Sequence, residues 1–211
     1  TPKPLTVPPI FDRLLPPPIV PADNPQTVEG VALGRKLFFD PILSGDGTQA
    51  CASCHQPANS FTDPNRFSIG IDGLEGTRNS MPIFNMAWNS KNKFFWDGRA
   101  LSIEEQALGP VENPVEMHNT WENAVGSLQS HASYPELFNK AFGTSNITKE
   151  LTVKAIAQFE RTLISANSPF DKYLLGEGNL TPQELNGFQI FMDESRGDCF
   201  HCHGNENSPL W

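Results

Sequence analysis

Cys51-Ala52-Ser53-Cys54-His55 and Cys199-Phe200-His201-Cys202-His203 are two copies of one pentapeptide, and together they use all four cysteines of the 211-residue chain. In each copy two thiols three residues apart lie on adjacent turns of one helical face, with a histidine directly after the second. C-x-x-C-H is the attachment signature of a c-type haem. The thiols form thioethers to the two porphyrin vinyl groups, and the histidine reaches the iron from the same side. Given one cysteine, this composition would place Cys at +3 and His at +4 about once in 3,000 trials. Two disulfides are the weaker alternative. Zinc is another, but zinc-binding pairs usually lie roughly 15–20 residues apart, and Cys54 and Cys199 are separated by far more. The expectation is two covalently bound c-type haems, on Cys51, Cys54 and His55 and on Cys199, Cys202 and His203, with His55 and His203 as iron ligands. The remaining axial position of each iron decides between electron transfer and chemistry.

Composition narrows the classes. A formal net charge of −9 argues against nucleic acid and anionic membrane surfaces as partners. No segment approaches the roughly 20 apolar residues of a membrane span. No basic-then-apolar leader opens the sequence, so an exported protein would be present in its mature form. Export is expected because c-type haem is attached outside the bacterial cytoplasm.

Nine of the nineteen prolines fall in the first 25 residues, including Pro16-Pro17-Pro18. Residues 1–25 are expected to form an extended, polyproline-like arm without helix. Beyond it the chain reads as mainly α. Thr27 caps a helix through about Phe39, with Val28, Val31, Leu33 and Leu37 as its apolar face. A short helix is expected near Cys51. Ser102-Ile103-Glu104-Glu105 reads as a capping box for a helix stopping by Gly109-Pro110. Thr120 starts another, and Pro135 sits near the start of one ending before Gly143. Lys149 to Ile164 is the strongest helical stretch, and Thr181-Pro182-Gln183-Glu184 opens the last long helix. A helix of similar character precedes each pentapeptide. This weak repeat predicts two cytochrome-c-like haem domains, residues 26–165 and 166–211. Only eight residues follow His203, so the second domain is expected to be truncated at its C-terminus.

Several segments carry a resemblance. Leu33-Gly34-Arg35-Lys36-Leu37-Phe38-Phe39-Asp40, Arg78-Asn79-Ser80, Phe95-Trp96-Asp97-Gly98-Arg99 and Glu105-Gln106-Ala107-Leu108-Gly109-Pro110 belong to this set. So do Asn113-Pro114-Val115-Glu116-Met117 and Phe159-Glu160-Arg161-Thr162-Leu163. With the first pentapeptide, this set resembles the bacterial di-haem cytochrome c peroxidases, a superfamily that includes MauG-like enzymes. The resemblance runs from about residue 28 to the C-terminus. It implies two haem domains with Ca2+ between them, and reduction of hydrogen peroxide in the periplasm. It makes the haem on His55 the peroxide-reacting one and the haem on His203 the port for electrons. It assigns Glu116 as the distal acid/base, Gln106 as a distal amide, Trp96 as a relay between the haems, and Asn79 as a calcium ligand. It also implies a distal ligand for the second haem, methionine or tyrosine, beyond Trp211. The acid/base role makes chemical sense, since a carboxylate near an open iron can take a proton from one peroxide oxygen and return it to the other.

One departure is informative. Peroxidases of this kind that need reductive activation carry a distal histidine directly after Ser-x-Gly. Here Ser68-Ile69-Gly70 is followed by Ile71, which cannot bind iron. Of the five histidines, His118 is the only plausible substitute. The first haem is therefore expected to be open without prior reduction. Three functions follow in order. The first is a periplasmic peroxidase taking electrons from a small cytochrome c or a cupredoxin. The second is a MauG-like enzyme oxidising side chains of a partner protein, and the third is a non-enzymatic electron carrier. The oligomeric state is left open by the sequence, a homodimer being one option.

Overall fold

A computed structural model describes residues 1–204, and among these the regular elements are helices. They are α1 (Pro9–Leu14), α2 (Val28–Phe39), α3 (Cys51–Cys54), α4 (Ile103–Glu112), α5 (Trp121–Ser130), α6 (Tyr134–Phe142), α7 (Lys149–Glu160), α8 (Pro169–Leu175), α9 (Pro182–Phe191) and α10 (Phe200–His203). Extended pairing among the described residues is confined to isolated bridges such as Gln56 with Thr62. The chain divides into two compact units. One comprises Thr1–Leu5, Val20–Met86 and Lys91–Leu163, and the other Thr6–Ile19, Ala87–Ser90 and the chain from Ile164.

Side-chain caps start the helices where the sequence signals lie. The hydroxyls of Thr27, Ser102, Thr120 and Thr148 accept from the backbone N–H three residues on, at 3.0, 3.0, 3.2 and 3.2 Å. Each satisfies one donor that an α-helix leaves unpaired at its first turn. At α9 the box is reciprocal, with Glu184 accepting from the Thr181 N–H at 2.8 Å. Gly143 ends α6 at φ 76°, a left-handed cap that glycine adopts without strain.

Three sequence expectations need correction. Residues 1–25 are not extended throughout, because Pro9–Leu14 forms α1. Pro8 at the N-cap and Pro9 at the first helical position occupy places where a missing N–H costs nothing. Helix α4 does not stop at Gly109-Pro110 but continues to Glu112. Pro110 lies in the last turn, so its ring removes a single i→i−4 bond, and Asn113 N–H closes the helix on Gly109 at 3.1 Å. Helix α7 ends at Glu160, not Ile164, as the N–H groups of Thr162 and Leu163 turn back onto Phe159 and Glu160 at 2.8 and 3.0 Å. Helix α8, with its own Ser168–Asp171 capping box, is an addition to the expected elements.

In the first unit α2 crosses α7 at very short range. A Cβ on Gly34 would lie 1.8 Å from the Ala155 carbonyl oxygen, so no larger residue fits this crossing. Around it Leu33, Leu37, Leu43, Trp121, Leu128, Tyr134, Phe138, Val153 and Ile156 form the main core. Burial of each large apolar side chain is worth about 1.5–3 kcal/mol. A second cluster of Phe38, Ile83 and Phe159 receives Cys51 and Ala52, which seats α3 on the α2–α7 pair. Several polar groups inside this layer are partnered, although Glu160 Oε2 and the Arg161 Nε and Nη1 are not. Gln158 takes the Thr27 N–H at 3.0 Å and gives its amide to Asn24 at 2.9 Å. Asn24 and Arg161 both donate to Glu104, at 2.7 Å and at 2.8 and 2.9 Å.

The second unit is built differently. Phe11 meets Trp88 edge-on at 4.8 Å, and Phe170, Tyr173 and Phe188 form an aromatic trio. Cys199 N–H bonds Phe191 O at 3.1 Å, which hangs the second pentapeptide from the end of α9. Neither α9 nor α10 buries a residue among the described residues. The expected second-haem distal ligand beyond Trp211 lies outside the described residues.

Candidate haem cavity

The two pentapeptides share one backbone turn. His55 N–H bonds Cys51 O and His203 N–H bonds Cys199 O, each at 2.9 Å. This places the two thiols and the histidine on the same short helical segment in both. Their surroundings differ. Cys202 and His203 are exposed, whereas Cys51, Cys54 and His55 line a cavity of about 380 Å³ inside the first unit.

The donor chemistry of that cavity suits a haem. His55 Nδ1 lies 3.1 Å from Phe61 O and 2.9 Å from Met81 O. Both partners are carbonyls, so Nδ1 carries the proton and the lone pair is left on Nε2, the nitrogen a metal would take. Burial lowers the His55 pKa, which keeps the ring in its neutral, ligating form. Cys51 and Cys54 are free thiols, not a disulfide. Burial, followed by the nearby Glu160 carboxyl, pushes the Cys51 thiol up to about 12. Apolar walls come from Leu43, Val111, Met117 and Ile156, which suit a porphyrin face.

The same cavity gathers residues distant in sequence. Gln106, Ala107, Pro110 and Val111 come from one face of α4, at helical i and i+4 spacing. Glu116 comes from the loop after it. Asn113 folds this loop, its Oδ1 accepting from Val115 N–H at 3.1 Å and its carbonyl from Glu116 N–H at 3.0 Å. Two further turns clamp the loop from outside. Ile71 N–H donates to Glu116 O at 3.0 Å, and Gly45 N–H donates to Met117 O at 2.8 Å. Gly70 is required here, since a Cβ would sit 2.3 Å from Val115 O. Burial raises the Glu116 pKa, while the Asn113 amide and the Arg99 charge oppose the rise.

Trp96 stands at the rim, 60% exposed, with its indole N–H on Asn79 O at 2.8 Å. Arg99 lies over the Phe95 ring at 3.6 Å and holds Asp97 with both carboxylate oxygens at 2.9 Å. Asn79 also lines the cavity, but its amide is spent within its own loop. Its nitrogen donates to Asp63 O and Asn65 O at 3.1 and 2.7 Å, and its oxygen accepts from Thr62 at 3.1 Å. Calcium takes roughly six to eight oxygen ligands, and among the described residues no group of three or more His, Cys, Asp or Glu is gathered to hold a metal ion.

Ser68, Ile69 and Gly70 line the cavity, while Ile71 contributes its backbone to the Glu116 loop. His118 is absent from the lining; its Nδ1 pairs with the Asp72 carboxylate at the surface. The structure thus brings Cys51, Cys54, His55, Trp96, Gln106 and Glu116 to one cavity and leaves His118 outside it. Sequence reasoning passed over Glu160, Met117 and Arg99, which also line it. Glu160 was detectable, as a charge at the helical position that follows Val153 and Ile156 on the buried face of α7.

A family model described as di-haem cytochrome c peroxidase matches residues 28–179. The chain belongs to the di-haem cytochrome c peroxidase family. Within that family it is 40% identical over 191 residues to cytochrome c peroxidase Ccp of Escherichia coli, covering 88% of this chain and 39% of that protein. It is 36% identical over 186 residues to the methylamine utilization protein MauG of Methylophilus methylotrophus, covering 88% of this chain and 55% of that protein. A solved MauG-like protein associated with microbial copper homeostasis superposes with a TM-score of 0.85 at 35% identity, over 93% of this chain and 58% of that one. The chain spans about half the length of the curated family members it matches. No helix among the described residues is long and apolar enough to cross a membrane.

Proposed function

We propose that this chain is the peroxide-reacting part of a periplasmic di-haem peroxidase, converting H2O2, two electrons and two protons to two molecules of water. The observation that carries the reading is a single cavity joining the His55 pentapeptide to Gln106 and Glu116. A haem held by Cys51 and Cys54, with His55 Nε2 as its iron ligand, would supply the redox chemistry. The chain's own residues do the rest. The carbonyls of Phe61 and Met81 hold the His55 ring in its ligating tautomer. Glu116 takes a proton from one peroxide oxygen and gives it to the leaving one. Gln106, buried on α4, offers an amide to orient peroxide or water. Trp96, at the rim, is suited to pass electrons from the second haem, on Cys199, Cys202 and His203. A small cytochrome c or cupredoxin is the proposed source of those electrons.

A second reading, oxidation of side chains on a partner protein, is favoured by one observation. Ile71, not histidine, follows the cavity-lining Ser68, Ile69 and Gly70, and its backbone N–H is engaged with Glu116 O, so this turn brings no imidazole to the cavity.

The test is H2O2 turnover by the whole oxidised protein, with and without prior reduction. Turnover of equal rate in both supports an open first haem. A bis-histidine, low-spin spectrum for that haem overturns it.

A further inference from the structure

Glu160 is the cavity group that the peroxide chemistry leaves unused. It closes α7 with a side chain only 4% exposed, yet it lines the same cavity as His55 and Glu116. Its Oε2 is buried without a hydrogen-bond partner. A buried carboxyl oxygen left unpaired costs about 1–3 kcal/mol, and more if charged. An ionised Glu160 therefore needs a positive charge in the cavity, and a protonated one does not.

Its neighbours supply only part of that charge, since Arg161, with Nε and Nη1 unpartnered, opposes the effect of burial without cancelling it, and Arg78 and Arg99 line the same cavity. The Arg161 guanidinium, on the next residue, is held by Glu104 from α4 at 2.8 and 2.9 Å. Cys51 from α3 lies close enough for the carboxyl to raise its thiol, and Glu116 faces the cavity as a second acid. The α2 cations are occupied elsewhere, with Arg35 over the Phe39 ring and Lys36 on Asp40 and the Tyr134 ring.

We propose that Glu160 couples the redox state of the first haem to a proton, taking one from solvent whenever one electron enters the cofactor held in this cavity. The inference rests on the haem assignment made above. A ferric porphyrin core carries a net positive charge that favours the carboxylate, and a ferrous core carries none. A one-electron donor thus reduces the iron while the carboxylate becomes a carboxylic acid, and the net charge of the cavity is unchanged. Without the cofactor's charge, burial already holds the Glu160 carboxyl up to about 8, with Arg161 opposing the rise and Glu104 adding to it. Glu116 and Glu160 divide the work, one facing peroxide and the other matching the electron.

The test is the midpoint potential of the haem on Cys51 and Cys54, resolved spectrally in the whole protein, between about pH 6 and 9. The expected result is a potential that falls as pH rises, by up to ~59 mV for each tenfold loss of protons in a one-electron couple. Glu160→Gln, which keeps the shape and removes the titration, should flatten the slope, while Glu116→Gln should keep it. A slope that survives in Glu160→Gln, or a flat wild-type potential with haem attached, overturns this inference alone. Absence of a haemochrome on the first pentapeptide overturns the cofactor assignment with it. If Glu160→Gln does not fold, redox difference infrared spectra of Glu116→Gln decide: a carboxylic acid band that appears on reduction supports Glu160, and its absence overturns the role.

Discussion

The side-chain amide of Asn113 donates to the Glu116 carboxylate at 2.5 Å, across a turn of three residues. Burial works against this bond, raising the Glu116 pKa, while Asn113 and then Arg99 lower it. The proton affinity of the proposed acid/base is thus raised by burial and moderated by its own loop and by Arg99.

Asn113→Ala removes a donor that favours the charged form, so the Glu116 pKa should rise further. Turnover that requires the carboxylate will then lose its acidic limb at higher pH than in the wild type. Glu116→Gln should lower turnover about 10²–10⁴-fold at every pH. A pH–rate profile of the three proteins checks both statements. Wild-type rates in Glu116→Gln would remove it from the mechanism.

Tyr134 is fully buried, and its hydroxyl donates to Asp40 at 2.8 Å. Burial alone would raise the Asp40 pKa, but Tyr134, the Ile42 N–H and Lys36 outweigh it and the net shift is downward. A lowered folded pKa gives stability that is present above the ordinary aspartate value, about 3.9, and lost as pH falls through the folded value. Tyr134→Phe should cost about 1.5–3 kcal/mol at neutral pH and less in acid. Urea denaturation at pH 7 and at low pH measures the difference, and an equal cost at both would count against the pairing.

Arg161 is 3% exposed and Glu104 16%, so their pair is largely shielded from water. Removing one member of such a pair strands the other, at a cost of about 3–5 kcal/mol. Arg161→Met should therefore lower the denaturation midpoint strongly. Exposed pairs such as Lys140 with Glu136 set the comparison, since solvent screening leaves little to lose when one is broken.

His118 pairs with Asp72 in solvent. His118→Gln should leave the oxidised spectrum of the first haem unchanged and alter stability by about 0–1 kcal/mol. A spin-state change in that variant would restore His118 as a ligand.

Much of the fold is legible from local signals. Thr27, Thr120, Thr148 and Thr181 each announce a helix start because a hydroxyl at the N-cap needs only the N–H three residues on. Helix ends were less legible. Pro110 looks like a stop from its ring chemistry, yet the helix continues two residues further with Val111 buried. The pentapeptides were readable because the spacing of two thiols and an imidazole is a property of one short segment. Glu160 is legible only as a charge on the buried face of α7; its importance is not, since that comes from a cavity built by α3, α4 and the 113–118 loop around it.

The sequence by itself determined where the two C-x-x-C-H pentapeptides lie, that the chain is helical, and that isoleucine, not histidine, follows Ser68-Ile69-Gly70. These follow from covalent spacing and side-chain identity, which need no partner in space. Only the tertiary structure decided that His55 presents Nε2, that Glu116 reaches the same cavity, and that the two identical motifs have different surroundings. Burial and hydrogen bonding are made by residues far apart in the chain, and the spacing within a motif does not encode them.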